Sequence, residues 1–81
     1  MRVKVLYFAV ARDLASVSGE SVLLPDGATV RGLLEEVMRL HPNLKKIQRS
    51  IRFSVNFEVV DRGDALHNGD EVGVLPPVAG G

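Results

Sequence analysis

The sequence predicts an α+β fold: a mixed four- to five-stranded sheet, one main helix packed on one face, and a protruding C-terminal tail. Three observations carry this. Two runs rich in β-branched and aromatic residues come first, a single stretch of helical periodicity follows, and short alternating runs return before two prolines and a final pair of glycines. Residues 1–81 are expected to form one domain, near the lower size at which a single core suffices, with 75–81 as an extended tail. Hydrophobic residues make up 46% of the chain and charged ones 25%, with a formal net charge of zero, a profile of globular rather than disordered or membrane chains. The balanced charge gives no sign of a nucleic-acid partner.

The first strand is read at residues 2–10, "RVKVLYFAV". One parity holds Val3, Val5 and Tyr7, the other Lys4, Leu6 and Phe8. Lys4 is costly to bury unpaired, so its face turns outward and takes Leu6 and Phe8 with it. The apolar part is far shorter than the ~20 residues of a spanning helix, so it reads as a strand and not as a membrane or targeting segment. With no such segment the cytoplasm is the expected location. "ARDLASVSG" reads as a hairpin loop, and "ESVLL" as a second strand that Pro25, Asp26 and Gly27 end in turn chemistry.

Helical spacing then appears at Val30, Leu33, Leu34, Val37 and Met38, with Thr29 placed as N-cap and Pro42 forcing an end nearby. The helix runs about three turns. "NLKKIQRSI" adds a short helical turn whose basic residues Lys45, Lys46 and Arg49, with Arg52 beyond, read first as a solvated face and only second as a docking edge for an acidic partner. Phe53 and Val55 alternate with Arg52, Ser54 and Asn56 in a half-buried strand. A short strand through Val59 and Val60 follows, then an Asn-Gly turn and a last strand with Val72 and Val74 on one parity and Gly73 and Leu75 on the other. Asp70 and Glu71, just after that turn, read as solvated carboxylates. A hairpin, a crossover helix and returning strands in this order make a β-grasp, or ubiquitin-like, arrangement.

Metal chemistry has no visible basis. The chain has no cysteine, and His41 and His67 stand far apart, outside any zinc or iron–sulfur spacing. Neither histidine has a visible catalytic partner, and no phosphate-binding loop of the Walker or G-x-G-x-x-G type is present. The tail is the chemically distinctive part. Pro76 and Pro77 cannot continue a ladder and project the chain away from the body, while Gly80 and Gly81 lack Cβ atoms and suit a narrow groove on another protein. A terminal carboxylate is a poor electrophile at neutral pH, so chemistry at that carbon needs outside activation. Adenylation by a partner using ATP and magnesium would supply it, and a sulfur nucleophile would then leave a thiocarboxylate on a chain with no thiol of its own.

Along nearly its whole length the sequence resembles the small sulfur-carrier subunit of molybdopterin synthase, of MoaD type. Three blocks carry the resemblance: "VKVLYFAVARD", "VNFEVV" and above all "LHNGDEVGVLPPVAGG", with Ala79 where the family commonly has Ser or Thr. The resemblance implies that Gly81 is the catalytic residue, adenylated by a ubiquitin-activating-type enzyme (MoeB type) and converted to a thiocarboxylate with sulfur from a persulfide donor protein. It implies that the tail, Pro76, Pro77, Val78, Ala79 and Gly80, inserts into the large synthase subunit (MoaE type) of a heterotetramer, where sulfur passes to cyclic pyranopterin monophosphate. It also places Phe8, Val59 and Leu75 at partner-docking positions. No cofactor or metal is expected on this chain itself; ATP and magnesium belong to the activating partner. The rival readings are a sulfur carrier for thiamine synthesis or tRNA thiolation, a ubiquitin-like modifier forming isopeptide bonds, and a passive interaction module.

Overall fold

The computed structural model describes residues 1–77, so Val78, Ala79, Gly80 and Gly81 lie outside the described residues. The elements in chain order are β1 (Arg2–Tyr7), α1 (Val10–Ala15), β2 (Gly19–Leu23), α2 (Val30–Leu40), a 3₁₀ helix (Pro42–Ser50), β3 (Arg52–Val55), β4 (Glu58–Val60) and β5 (Glu71–Leu75). They build a five-stranded sheet in the order β2-β1-β5-β3-β4. β1 runs antiparallel to β2 and parallel to β5, while β3 is antiparallel to both β5 and β4. The parallel pair at the centre requires a crossover, and α2 lies within it.

The core is the inner face of this sheet closed by α2. Val3, Val5 and Tyr7 of β1, Phe53 of β3 and Val72 and Val74 of β5 meet Val30, Leu33, Leu34, Val37 and Met38 of the helix in one cluster. Each such side chain contributes about 1.5–3 kcal/mol on burial, so the alternation in β1 and β5 fixes which face is inside. The start of α2 is held from two directions. Thr29 Oγ1 accepts from the Gly32 N–H at 3.4 Å, as the sequence predicts, and the Val30 and Arg31 N–H groups donate to the carbonyls of Asp64 (2.9 Å) and Arg62 (2.8 Å). Helix N–H groups that lack an internal partner are thus satisfied by the loop before β5.

The expected hairpin loop at "ARDLASVSG" is corrected. Its first part is the helix α1, which buries Ala11 and Ala15 and packs against the 3₁₀ segment. Ala9 makes the sharp entry with φ 49° and ψ −126°, and the Ala11 N–H donates to Phe8 O at 3.0 Å. Ser16 ends α1 in a left-handed conformation, its N–H bonded to Arg12 O. Two small residues four apart suffice to seat one and a half turns against the neighbouring 3₁₀ segment. No helix among the described residues is long and apolar enough to cross a membrane.

Candidate functional site: the outer sheet face at the root of the tail

The face of the sheet turned away from α2 carries Phe8, Val59 and Leu75, the positions at which the family resemblance implies docking. Register sets Leu6, Gly73, Ser54 and Val59 side by side across β1, β5, β3 and β4, a row about 14 Å wide at normal strand spacing. One step toward the tail, Leu75 pairs with Arg52, and the Phe8 N–H donates to Val74 O at 3.3 Å. Phe8 is 45% exposed and Val59 64% exposed, while Leu75 is half-buried. Phe8 and Leu75 therefore face outward as their parity predicts, and Val59, which alternation left unassigned, joins them.

Gly73 is what lets the Phe8 ring lie down on this face. A Cβ built at Gly73 would stand 3.3 Å from Phe8 Cε2 and 2.5 Å from Ser54 Oγ. Any side chain there would lift the ring and push the serine away. The result is a shallow depression lined by Leu6, Phe8, Ser54, Phe57, Glu71 and Gly73, opening beside the strand that leads into the tail. Pro76 is half-buried and Pro77 exposed, so the chain leaves the sheet immediately after Leu75. Without a backbone N–H to donate, the two prolines end the ladder there.

The loop before β5 corrects the reading of Asp70. Asp70 is only 9% exposed, so its carboxylate is not solvated. Its Oδ2 accepts from the His67 N–H at 2.8 Å and its Oδ1 from Asn56 Nδ2 at 3.1 Å. Asn56 in turn binds both sides of Glu71: its N–H donates to Glu71 O at 2.8 Å, and its Oδ1 accepts from the Glu71 N–H at 3.1 Å. Asp70 and Asn56 together clamp the β3–β4 turn to the start of β5. The clamp joins the edge of the outer face to the start of β5, a structural use of residues whose spacing in sequence, 14 positions, hides the contact.

A second polar group sits on the opposite side of the sheet. The Tyr7 hydroxyl donates to Glu20 Oε2 at 2.5 Å, and His41 Nε2 lies 2.6 Å from the same oxygen, with the two rings edge to face. Burial, and then the neighbouring carboxylate, raise the Tyr7 phenol well above its ordinary pKa near 10. This cluster ties β1 and β2 to the end of α2. Lys45, Lys46, Arg49 and Arg52 are all exposed. Among the described residues no group of three His, Asp or Glu side chains is placed to hold a metal ion.

Fold and site together define a β-grasp carrier: a five-stranded sheet closed on one face by α2, with exposed apolar side chains on its other face, and a last strand running into Pro76 and Pro77. The comparisons agree. The ThiS family matches residues 5–81, and the chain belongs to that family. It is 41% identical to the molybdopterin synthase sulfur carrier subunit of Chlamydomonas reinhardtii, with all of both chains covered. A solved Pyrococcus furiosus chain, described as a candidate molybdopterin converting factor subunit 1, superposes with a TM-score of 0.87 at 40% identity, covering 96% of this chain and 99% of that one. The small archaeal modifier protein 1 of H. volcanii superposes with a TM-score of 0.84 at 26% identity, over 95% of this chain and 98% of that one.

Proposed function

We propose that this chain is the sulfur carrier subunit of a molybdopterin synthase, with Gly81 as the carrier residue. The observation behind this reading is that the likeness to the Chlamydomonas reinhardtii carrier subunit spans both chains entirely, and the family match runs through the tail to residue 81. An oxygen of the Gly81 carboxylate attacks the α-phosphorus of ATP on an activating enzyme of ubiquitin-activating type, and pyrophosphate leaves. Magnesium on that enzyme neutralises the phosphates. The acyl-adenylate then accepts a persulfide sulfur and releases AMP. A thiol cleaves the resulting S–S bond, leaving a thiocarboxylate on Gly81 and a disulfide on the donor.

Pro76, Pro77, Val78, Ala79 and Gly80 thread this group into the active site of the large synthase subunit, whose side chains perform the transfer to cyclic pyranopterin monophosphate. Two loaded carriers supply the two sulfurs of the dithiolene. Phe8, Val59 and Leu75 hold the body of the carrier against each partner in turn, and partner exchange follows from the tail's chemical state. On this reading the chain needs no cofactor of its own, works in the cytoplasm and acquires catalytic power only in the complex.

The test is reconstitution. Incubating the chain with ATP, magnesium, the activating enzyme and a persulfide donor should replace one oxygen by sulfur in the intact mass, and adding the large subunit with the pterin precursor should return the mass to its starting value. Deletion of Gly81 should abolish both changes. A chain that loads sulfur but never yields it to the large subunit would overturn the molybdopterin assignment. A second reading, a protein modifier, has support in the likeness to small archaeal modifier protein 1. An acyl-adenylate also accepts a lysine amine, and lysine-linked Gly-Gly remnants in digests of host extracts would reveal that use.

A further inference from the structure

The turn between β3 and β4 contains an aromatic ring that the fold does not use. Val55 pairs with Glu58, so the hairpin turns on two residues, Asn56 and Phe57. Their φ values are 50° and 73°, the doubly left-handed geometry that a two-residue hairpin requires and that Asn-Gly adopts without strain. Asn tolerates this conformation, whereas a bulky side chain at φ 73° is an outlier. The position holds because the turn is fixed from outside: the Asn56 bonds to Asp70 and Glu71 involve no atom of Phe57. The Phe57 ring is 88% exposed. Glycine would make the same turn more easily, and a polar side chain would be better hydrated. Backbone strain held by surrounding structure, combined with an exposed aromatic, is the pattern expected of a binding group.

We infer that Phe57 is a docking anchor, its ring entering an apolar hollow on the large synthase subunit that receives the tail; this rests on the proposed carrier role. Position selects the occupant. Phe57 lines the same depression as Phe8, Leu6 and Gly73, so it extends the apolar face described above. Glu71, at that depression, begins the strand that ends at Leu75, and four residues of strand span only about 13 Å. A partner surface of ordinary size, about 800 Å² on each side, covers a patch roughly 30 Å across. A protein that grips the tail at its root therefore also covers Phe57. The ring widens the contact from the tail end of the face to its far corner, and an aromatic anchor with few rotatable bonds loses little entropy on entering a pocket.

The experiment uses the full chain and the large subunit of the same organism, with calorimetric titration and thermal unfolding of wild type, Phe57→Gly and Phe57→Leu. Phe57→Gly is expected to raise the melting temperature of the free carrier by about 4 °C and to weaken binding about tenfold. Phe57→Leu should recover most of the affinity without the gain in melting temperature. Unchanged affinity in Phe57→Gly, with wild type binding normally, overturns the anchor and leaves the carrier role standing; a lower melting temperature also overturns it, because the ring then belongs to the fold. A wild-type chain that does not bind the large subunit overturns both proposals. A self-associated wild type that Phe57→Gly converts to monomer in sedimentation would assign the ring to a second copy of this chain, again against the inference.

Discussion

On β1 and β5, side chains one residue apart meet opposite fates. Val3, Val5, Val72 and Val74 have no exposed surface and Tyr7 only 2%, whereas Phe8, next in line, is 45% exposed and lies across Gly73. The inner face is closed by α2 and fixes the fold; the outer face is left open and ends at the root of the tail. An inner residue is therefore judged by how completely it fills space, and an outer one by what it can offer a partner. Mutations should divide along the same line.

The largest effect is expected inside. Phe53 is 1% exposed at the centre of the core, and Phe53→Ala should cost about 3–5 kcal/mol in urea unfolding, a large part of a small domain's stability. Outside, Phe8→Asp should leave the melting temperature nearly unchanged and weaken binding to the large subunit about 30-fold, roughly 2 kcal/mol, by calorimetry. Equal stability losses for the two variants would erase the distinction between the faces. A smaller effect sharpens it: Gly73→Ala should cost about 1 kcal/mol and weaken docking by lifting the Phe8 ring. Replacing Ser54 by Ala in the same chain removes the closest clash and should restore part of that stability without restoring affinity.

The smallest expected effect at neutral pH belongs to Tyr7, the one tyrosine in a chain without tryptophan, so phenolate absorbance reports it alone. Its pKa is raised in the folded state, which means the native protein holds that proton more tightly than the unfolded chain. Its contribution to stability is therefore complete below about pH 10, the ordinary phenol value, and is lost as pH rises through the folded value. The phenolate signal should stay absent above pH 10 until the chain unfolds. A free titration near pH 10 in folded protein would show that neither the burial of the phenol nor its Glu20 contact holds in solution.

Much of this division was legible in the sequence because the strands announce it. Lys4 decides the outward parity of β1, and the alternation Val72, Gly73, Val74, Leu75 does the same for β5. Thr29 and the spacing from Val30 to Met38 locate α2. The short helix α1 was hidden because six residues hold too little of a helical period and its buried positions are alanines. Asp70 was misread because its burial depends on Asn56, across a turn. Phe57 escaped for a related reason: the hairpin lacks the glycine that marks such turns, so Asn56 reads as the end of a strand. The outer positions Phe8 and Leu75 came from family resemblance joined to parity and Val59 from resemblance alone, whereas the clamp between Asp70, Asn56 and Glu71 is visible only in three dimensions.

The most direct measurement is the intact mass of the chain purified from its native host, with and without a thiol-alkylating reagent. The sequence contains no cysteine, so a thiol-directed adduct has no side-chain thiol to occupy. A single adduct that disappears when Gly80 and Gly81 are deleted is the expected result, and it places the reactive sulfur on the tail. No adduct, even after incubation with ATP, a persulfide donor and the host's activating enzyme, would contradict the carrier role.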